Sequence, residues 1–593
     1  MGRTRTGRLA MLGLAFAISV ILVPVVAGEE QPAARRAPTP HRVMAFYYPW
    51  YGTADGPGGN GQTVHWGRID ARARDIEAST HYPSLGAYDS HDPALIEQHC
   101  QWAKGANIDT LILSWWGHGA FSDRAVDPIL AACERHGLKA CLYYERVPEP
   151  QTAETAAQDV IRALAKYGSH PAYLQAHGRP VVFVYIRALN EIGLTGWLDA
   201  IEQINAGYEP GVTAIGDQFS YGAARVFDGV HAYNTAGQLS GLSLGQAEEW
   251  MEATYPSWVD LADRADAIST LTLIPGYDDT KIRTPGLVVE RFDGDLYAMQ
   301  WKQAIEADPH WVLITSFNEW HEGSEIEPSI EHGDAYLDLT AEWAAQFKAS
   351  PRRPHAIEDT SGISADARDR LRQRLSDIGI AVLPDPASTA FWWLLELGVQ
   401  PEVLTWSEVA DGLSPQEYPL LLYCSGEHYR RTVDSKGDVD EALVQYLNAG
   451  GCLAALSLRP WPFYYDEDGT ALNQSHRFGL TIRMGWENPP QGARLHFVQP
   501  GNRLPHVPAA FPFPESGDLR WRGFHAQDHP IHVPLLQLQT ATGESLGDAV
   551  TYARRAQGGS VAYVWFGLLD GPHAEPILQD LFTFLASQLE GRP

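Results

Sequence analysis

The chain has 593 residues, more than one ordinary domain holds, and its 45% hydrophobic and 20% charged residues give the balance of globular rather than disordered proteins. A formal net charge of -29 argues against nucleic acid or an anionic membrane surface as partner and suits a neutral ligand such as a polysaccharide. Five cysteines (Cys100, Cys133, Cys141, Cys424, Cys452) are too few for a disulfide framework and form no CxxC pair, so buried thiols are expected, with Cys133 and Cys141 as the pair that could bridge in an oxidising compartment.

Arg3, Arg5 and Arg8 precede an apolar run from Leu9 to Ala27, and the polar, proline-bearing stretch Gly28 to Pro40 follows. This is the order of a secretory signal peptide over residues 1–27, cut after Ala27, with residues 28–42 as a linker. Export is therefore expected, to the medium, the periplasm or the cell surface. An uncleaved membrane anchor is the alternative, because roughly 17 to 25 apolar residues span a bilayer.

From Val43 to Phe347 short β-rich runs alternate with helical patterns. Strands are predicted at Val43 to Trp50, Asp109 to Trp116, Lys139 to Glu145, Pro180 to Ile186, Val212 to Phe219, Val230 to Asn234, Ser269 to Pro275 and Trp311 to Phe317. Helices are predicted at Pro93 to Ala106, Asp127 to His136, Ala153 to Tyr167, Leu244 to Tyr255 and Leu296 to Ala307. Eight such strands make a (β/α)8 TIM barrel the natural architecture for residues 43–348, with a doubly wound open sheet as the competing arrangement.

Residues 349–376, which begin near Pro351-Arg352-Arg353-Pro354, read as a linker, and a second α/β pattern fills 377–593. Strands are expected at Ile378 to Leu383, Tyr418 to Cys424, Gly451 to Leu456 and Gly559 to Trp565, with helices at Ser388 to Leu397, Val439 to Asn448 and Glu575 to Leu589. This pattern resembles the flavodoxin-like or class I amidotransferase-like α/β domains appended to some glycosidases. Cys424 lacks the preceding glycine of a nucleophile elbow, so an accessory role is expected rather than amidotransfer.

Phe317-Asn318-Glu319-Trp320-His321-Glu322-Gly323 falls just past the eighth predicted strand, at the carboxyl-terminal mouth where parallel barrels keep their chemistry. Breaking a glycosidic bond needs one group to protonate the departing oxygen and another to complete the displacement. Two close carboxylates serve, because their repulsion separates their affinities for protons. Glu319 and Glu322, three apart on a loop or helical turn, share a face and are the expected catalytic pair. Acidic residues also favour the first turn of a helix by ~0.3 to 1 kcal/mol, which accounts for Glu325 and Glu327. The segment is not a zinc-binding HExxH, since Glu325 stands where the second histidine belongs, and no metal or other cofactor is expected.

Aromatics gather at the same ends of other strands: Tyr47, Tyr48, Trp50 and Tyr51, then Trp115 and Trp116, Tyr143 and Tyr144, and Tyr233. Flat rings stack on the C–H face of a pyranose while polar tips bond its hydroxyls; ordinary barrel packing is the competing explanation. After the seventh strand, Tyr277, Asp279 and Arg283 are placed to bond substrate or to hold the glutamates.

These residues, in this order, resemble glycoside hydrolase family 99, the endo-α-1,2-mannosidases. The resemblance rests on Tyr47-Tyr48-Pro49-Trp50-Tyr51-Gly52, His65-Trp66, Tyr82-Pro83-Ser84-Leu85-Gly86, Ser114-Trp115-Trp116, the Tyr167 to Tyr173 run, Phe227-Asp228-Gly229, Pro275-Gly276-Tyr277 with Asp279 to Arg283, and Ile314 to Gly323. It implies a retaining, endo-acting hydrolase of an α-mannoside-containing oligosaccharide or polysaccharide. On that carry-over Glu319 deprotonates the sugar's 2-hydroxyl, O2 attacks the anomeric carbon to give a 1,2-anhydro sugar, and Glu322 serves as acid and then base. Tyr48, His65, Trp66, Trp115, Trp116, Tyr144, Tyr233, Tyr277, Asp279, Arg283, Asn318, Trp320 and His321 would contact substrate. The sequence departs from the family at Arg283-Thr284-Pro285-Gly286 and at Gly323 to Pro328, which bears on linkage preference. An α-glucan hydrolase on the same barrel and a non-catalytic glycan-binding protein are the rival readings.

Overall fold

Eight parallel strands close on themselves: β1 (Arg42–Tyr47), β2 (Thr110–Trp115), β3 (Lys139–Tyr144), β4 (Arg179–Val184), β5 (Thr213–Asp217), β6 (Gly229–His231), β7 (Ile268–Leu273) and β8 (Trp311–Ile314). In the computed structural model, which describes residues 39–59, 61–349, 351–353, 361–433, 437–482, 494–514, 518–526 and 529–590, β1 pairs with both β2 and β8. Met44 lies opposite Thr110, and Arg42 opposite Trp311. The remaining neighbours follow in chain order, and the closed ring is a (β/α)8 barrel. The expected signal peptide and most of the expected 28–42 linker lie outside the described residues. Among those described, no helix is long and apolar enough to cross a membrane.

The strands are buried on both faces, as parallel strands under a layer of helices must be, and this is why they read as unbroken apolar runs. Phe46, Tyr143, Phe183, His231 and Trp311 fill the barrel, with Phe46 and Tyr143 rings 4.8 Å apart and Phe183 and His231 5.2 Å apart. The chemistry is thereby confined to the mouth. Helix starts are set by side-chain caps: Asp92 accepts from the Ala94 N–H at 2.8 Å, Thr152 from Thr155 at 3.1 Å, and Ser243 forms a capping box with Gln246.

The predicted helix bounds at Asp127 and Tyr255 each abut a proline, yet the helices Phe121–His136 and Leu244–Arg264 run through Pro128 and Pro256. The barrel helices Ile186–Gly207 and Ala335–Lys348 have no counterpart among the predicted elements.

The second domain is built on one mixed sheet. Its parallel half runs in space Glu402–Val403, Ile380–Val382, Leu420–Tyr423, Cys452–Ala455, Ser560–Val564, the order of flavodoxin-like sheets. Ser545–Arg554, Ile531–Thr540, Leu495–Val498 and Ala510–Pro512 extend it antiparallel. The expected 349–376 linker is corrected: Ala365–Ser376 is a helix that buries Leu371 and Leu375 and ties to the C-terminal helix through Arg368 and Glu575, 2.8 Å apart. Its arginines and aspartates hide a two-leucine stripe. All five cysteines are buried free thiols, so the Cys133–Cys141 bridge is also corrected. Burial pushes the Cys424 thiol up to about 12, which leaves it unreactive.

The two domains meet on the loop that follows β5. A Cβ at Gly222 would lie 2.2 Å from Trp392 Nε1, so the backbone there rests directly on a buried indole. Arg225 Nε donates to Glu396 at 2.6 Å, and the Tyr221 hydroxyl bonds the same carboxylate.

Candidate active site

Beyond β8 the chain makes one tight 3-10 turn, Trp320–Glu322, closed by Gly323 in the left-handed region at φ 54°. The turn puts Glu319 and Glu322 side by side at the barrel mouth, where the charge of Glu322 works against ionisation of Glu319. It is locked from beneath. Asn318, fully buried, accepts the Tyr48 N–H at 2.7 Å and donates to the Tyr48 carbonyl at 3.2 Å. The Ser316 hydroxyl accepts from the Glu319 N–H at 2.6 Å, and the Tyr51 hydroxyl accepts from the Trp320 N–H at 3.0 Å.

Glu327 anchors a second layer, accepting from Tyr88 Oη at 2.8 Å, Trp320 Nε1 at 3.2 Å and His99 Nε2 at 3.2 Å. Glu325 faces Arg291 at 3.0 Å and His81 at 2.7 Å; burial opposes its ionisation, but Arg291 and His81 hold it below the usual carboxylate range. Both are buried hubs, which corrects their reading as residues of a helical first turn.

Glu319 is 2% exposed. Its Oε1 accepts the His321 N–H at 3.2 Å and stands 3.5 Å from the Tyr51 hydroxyl, whereas Oε2 is buried with no hydrogen-bond partner among the described residues. Burial, reinforced by Glu322, pushes its carboxyl well above the ordinary range. Glu322 is the more open of the two, its side chain 13% exposed. Its Oε2 accepts from Tyr233 Oη at 3.0 Å, and its Oε1 faces Arg283 at 3.3 Å. Burial raises Glu322 too, against the pull of Arg283, Tyr277 and Tyr233. Arg283 is itself held by Tyr277 Oη at 2.7 Å and by the Asp279 carboxylate, which also accepts the Leu287 N–H at 2.7 Å.

Of the predicted contact residues, Tyr48, Tyr233, Tyr277, Asp279, Arg283 and His321 gather around the two glutamates. His65 stacks on Trp50 at 4.5 Å and 8°, and Trp116, half-buried, completes the rim beneath Arg187. Five others are supports rather than lining. Trp66 is buried against Tyr51 and bonds the Tyr88 carbonyl; Trp115 bonds Asp123 at 2.7 Å; Tyr144 turns outward to Asp159 at 3.1 Å; Asn318 and Trp320 serve the turn as described. Each carries an N–H or O–H that finds a partner in the protein body.

Sequence reasoning passed over Glu145 and Asp217. Glu145, at the end of β3, is pushed up to about 7 by burial, although the Ser114 hydroxyl donates to it at 2.6 Å. Asp217, at the end of β5, receives the Tyr233 N–H at 2.9 Å, the Ile186 N–H at 3.1 Å and Tyr143 Oη at 3.3 Å. An acidic residue at the end of a predicted barrel strand for Glu145, and two residues before the end of one for Asp217, was the available signal. Among the described residues no three His, Cys, Asp or Glu side chains gather to hold a metal ion.

A model of glycosyl hydrolase family 99 matches residues 38–202 and 213–348, just over half of the chain. The chain is 26% identical over 373 residues to a glycoprotein endo-alpha-1,2-mannosidase of Rattus norvegicus, covering 54% of this chain and 78% of that protein. It is 28% identical over 358 residues to a glycoprotein endo-alpha-1,2-mannosidase-like protein of Homo sapiens, covering 51% and 75%. Among solved structures, the GH99 endo-alpha-mannosidase from Bacteroides thetaiotaomicron shares 28% identity over 52% of this chain and 97% of its own, with a TM-score of 0.44. With the family match spanning the whole barrel and its paired glutamates, the chain belongs to glycosyl hydrolase family 99 and is a glycoside hydrolase.

Proposed function

We propose that the protein is a retaining, endo-acting hydrolase of α-1,2-linked mannosides, with Glu319 as general base on the sugar's 2-hydroxyl and Glu322 as general acid and then base. The observation that carries this reading is the asymmetry of Glu319: Oε1 is held by the protein, and Oε2, buried and unpartnered among the described residues, is an acceptor waiting for a hydroxyl. A 2-hydroxyl deprotonated there attacks C1 from the face opposite the leaving group, which is the trans relation that α-mannosides offer. Glu322 gives its proton to the departing oxygen, and the 1,2-anhydro sugar opens when Glu322 takes a proton from water and Glu319 returns one to O2. Glu145, neutral for part of its time near pH 7, is suited to bond another hydroxyl of the reacting sugar. The names of the mammalian relatives supply the linkage. Export belongs to the same proposal, on the strength of Arg3, Arg5, Arg8 and the Leu9 to Ala27 run.

E319Q and E322Q should each lower turnover of an α-1,2-mannooligosaccharide by ~10²- to 10⁴-fold, with calorimetric binding of the oligosaccharide retained. Native turnover in either variant, or products from α-glucan and none from α-mannan, would displace the reading.

A further inference from the structure

A cavity of about 470 Å³ opens where the two domains meet, a volume within the ~300 to 1,000 Å³ of small-molecule sites. Its barrel wall is aromatic. Phe219, on the loop after β5, and Trp258, on the helix Leu244–Arg264, stack at 4.2 Å and 8°. Both are half-buried, and the indole N–H of Trp258 has no acceptor among the described residues, whereas those of Trp66, Trp115 and Trp320 are committed to the protein.

The other wall belongs to the second domain. Asp570 comes after the strand Ser560–Val564, and its Oδ1 accepts at 2.8 Å from the hydroxyl of Thr389, which opens the helix after Ile380–Val382. The cavity therefore lies beyond the carboxyl ends of the parallel strands, where doubly wound sheets hold their ligands. The other charged groups of the lining are balanced, Asp260 by Arg264 at 2.7 Å and Glu575 by Arg368 at 2.8 Å. No surplus cation is left for an anionic ligand, and Asp570 is exposed with Oδ2 making no hydrogen bond among the described residues. An apolar ring face, an N–H donor and a carboxylate acceptor together match a pyranose, which offers C–H groups on one face and hydroxyls at its edge.

We infer that this interdomain cavity is a second glycan-binding site: it takes a neutral saccharide of the class that the barrel cleaves and holds one part of a chain while another part lies at Glu319 and Glu322. Neither domain makes the site alone, because the barrel supplies the rings and the second domain the carboxylate. That a sugar binds here rests on the cavity; that the sugar is an α-mannoside rests on the reading of the active site given above.

The test is calorimetric titration of the full chain carrying E322Q, chosen to bind without turnover, with an α-1,2-mannotetraose and separately with maltotetraose. The mannotetraose should fill two sites per chain, and one site once W258A or D570N is added. D570N keeps an oxygen for the Thr389 hydroxyl, so it carries the test if circular dichroism shows W258A unfolded. With Glu322 intact, either substitution should leave kcat/KM for the tetraose unchanged and raise KM for polymeric α-mannan ~10-fold, since the polymer loses its second point of attachment. A single site for each sugar, a second site that survives both substitutions, or an equal effect on tetraose and polymer overturns the inference. Two sites for maltotetraose and none for the mannoside keep the cavity as a sugar site and sink the α-mannosidic assignment of the barrel.

Discussion

Glu322 works because opposing influences on one carboxyl are kept in balance. Burial favours the proton it must donate, while Arg283, Tyr277 and Tyr233 favour the anion it becomes. Y233F removes the donor that lies 3.0 Å from Oε2 and leaves the burial untouched. Loss of a group that lowers the affinity for a proton raises it, so the acid stays protonated to higher pH. The descending limb of kcat/KM should therefore shift toward alkaline pH, while kcat/KM at the optimum falls ~10- to 100-fold, the equivalent of one hydrogen bond to a charged group. A shift toward acid would contradict this arrangement. At this scale the two glutamates were legible because their spacing, aromatic company and place after a strand are all written locally. Which aromatics face the sugar was not legible: Trp115 and Trp116 are adjacent in sequence, and only the partner of each indole N–H, Asp123 for one and Ser114 for the other, separates the buried ring from the rim.

The turn after β8 is an element whose shape comes from its neighbours. Its hydrogen bonds run to the loop after β1 through Asn318 and Tyr51 and to Ser316 at its own base, so a three-residue turn is held as firmly as a strand. N318A leaves the buried Tyr48 N–H without its acceptor and should destabilise the fold by ~1 to 3 kcal/mol, the usual cost of such an orphan. Denaturant titration measures this, and unchanged stability would show that the clamp is dispensable. Strands of the barrel were readable since burial on both faces writes a continuous apolar run. The helix Ala365–Ser376 was not, because only Leu371 and Leu375 among its largely charged residues turn inward. The antiparallel half of the second sheet escaped for a different reason: Ile531–Thr540 carries Pro534 and intermediate burial over much of its length, which blurs the alternation a strand should show.

Across the whole molecule, the domains share the loop after β5. Asp217 at its base holds the Tyr233 N–H, Tyr233 holds Glu322, and Gly222 farther along lies against Trp392 of the second domain. G222A forces a methyl group into that indole and should cost ~1 to 3 kcal/mol as an overpacked contact, seen as a lowered unfolding temperature together with reduced kcat. Native values for both would show that the contact yields freely. The flavodoxin-like class of the second domain was expected from its pattern, but its grip on the barrel was not, since a separation of 171 residues between Arg225 and Glu396 carries no local mark of their pairing. That grip is made of a close backbone approach at Gly222, an Arg225–Glu396 pair and the Tyr221 hydroxyl. The loop that starts from Tyr233's partner Asp217 is packed from outside the barrel, so a barrel excised at the domain boundary keeps every residue of its chemistry and leaves one wall of that loop bare.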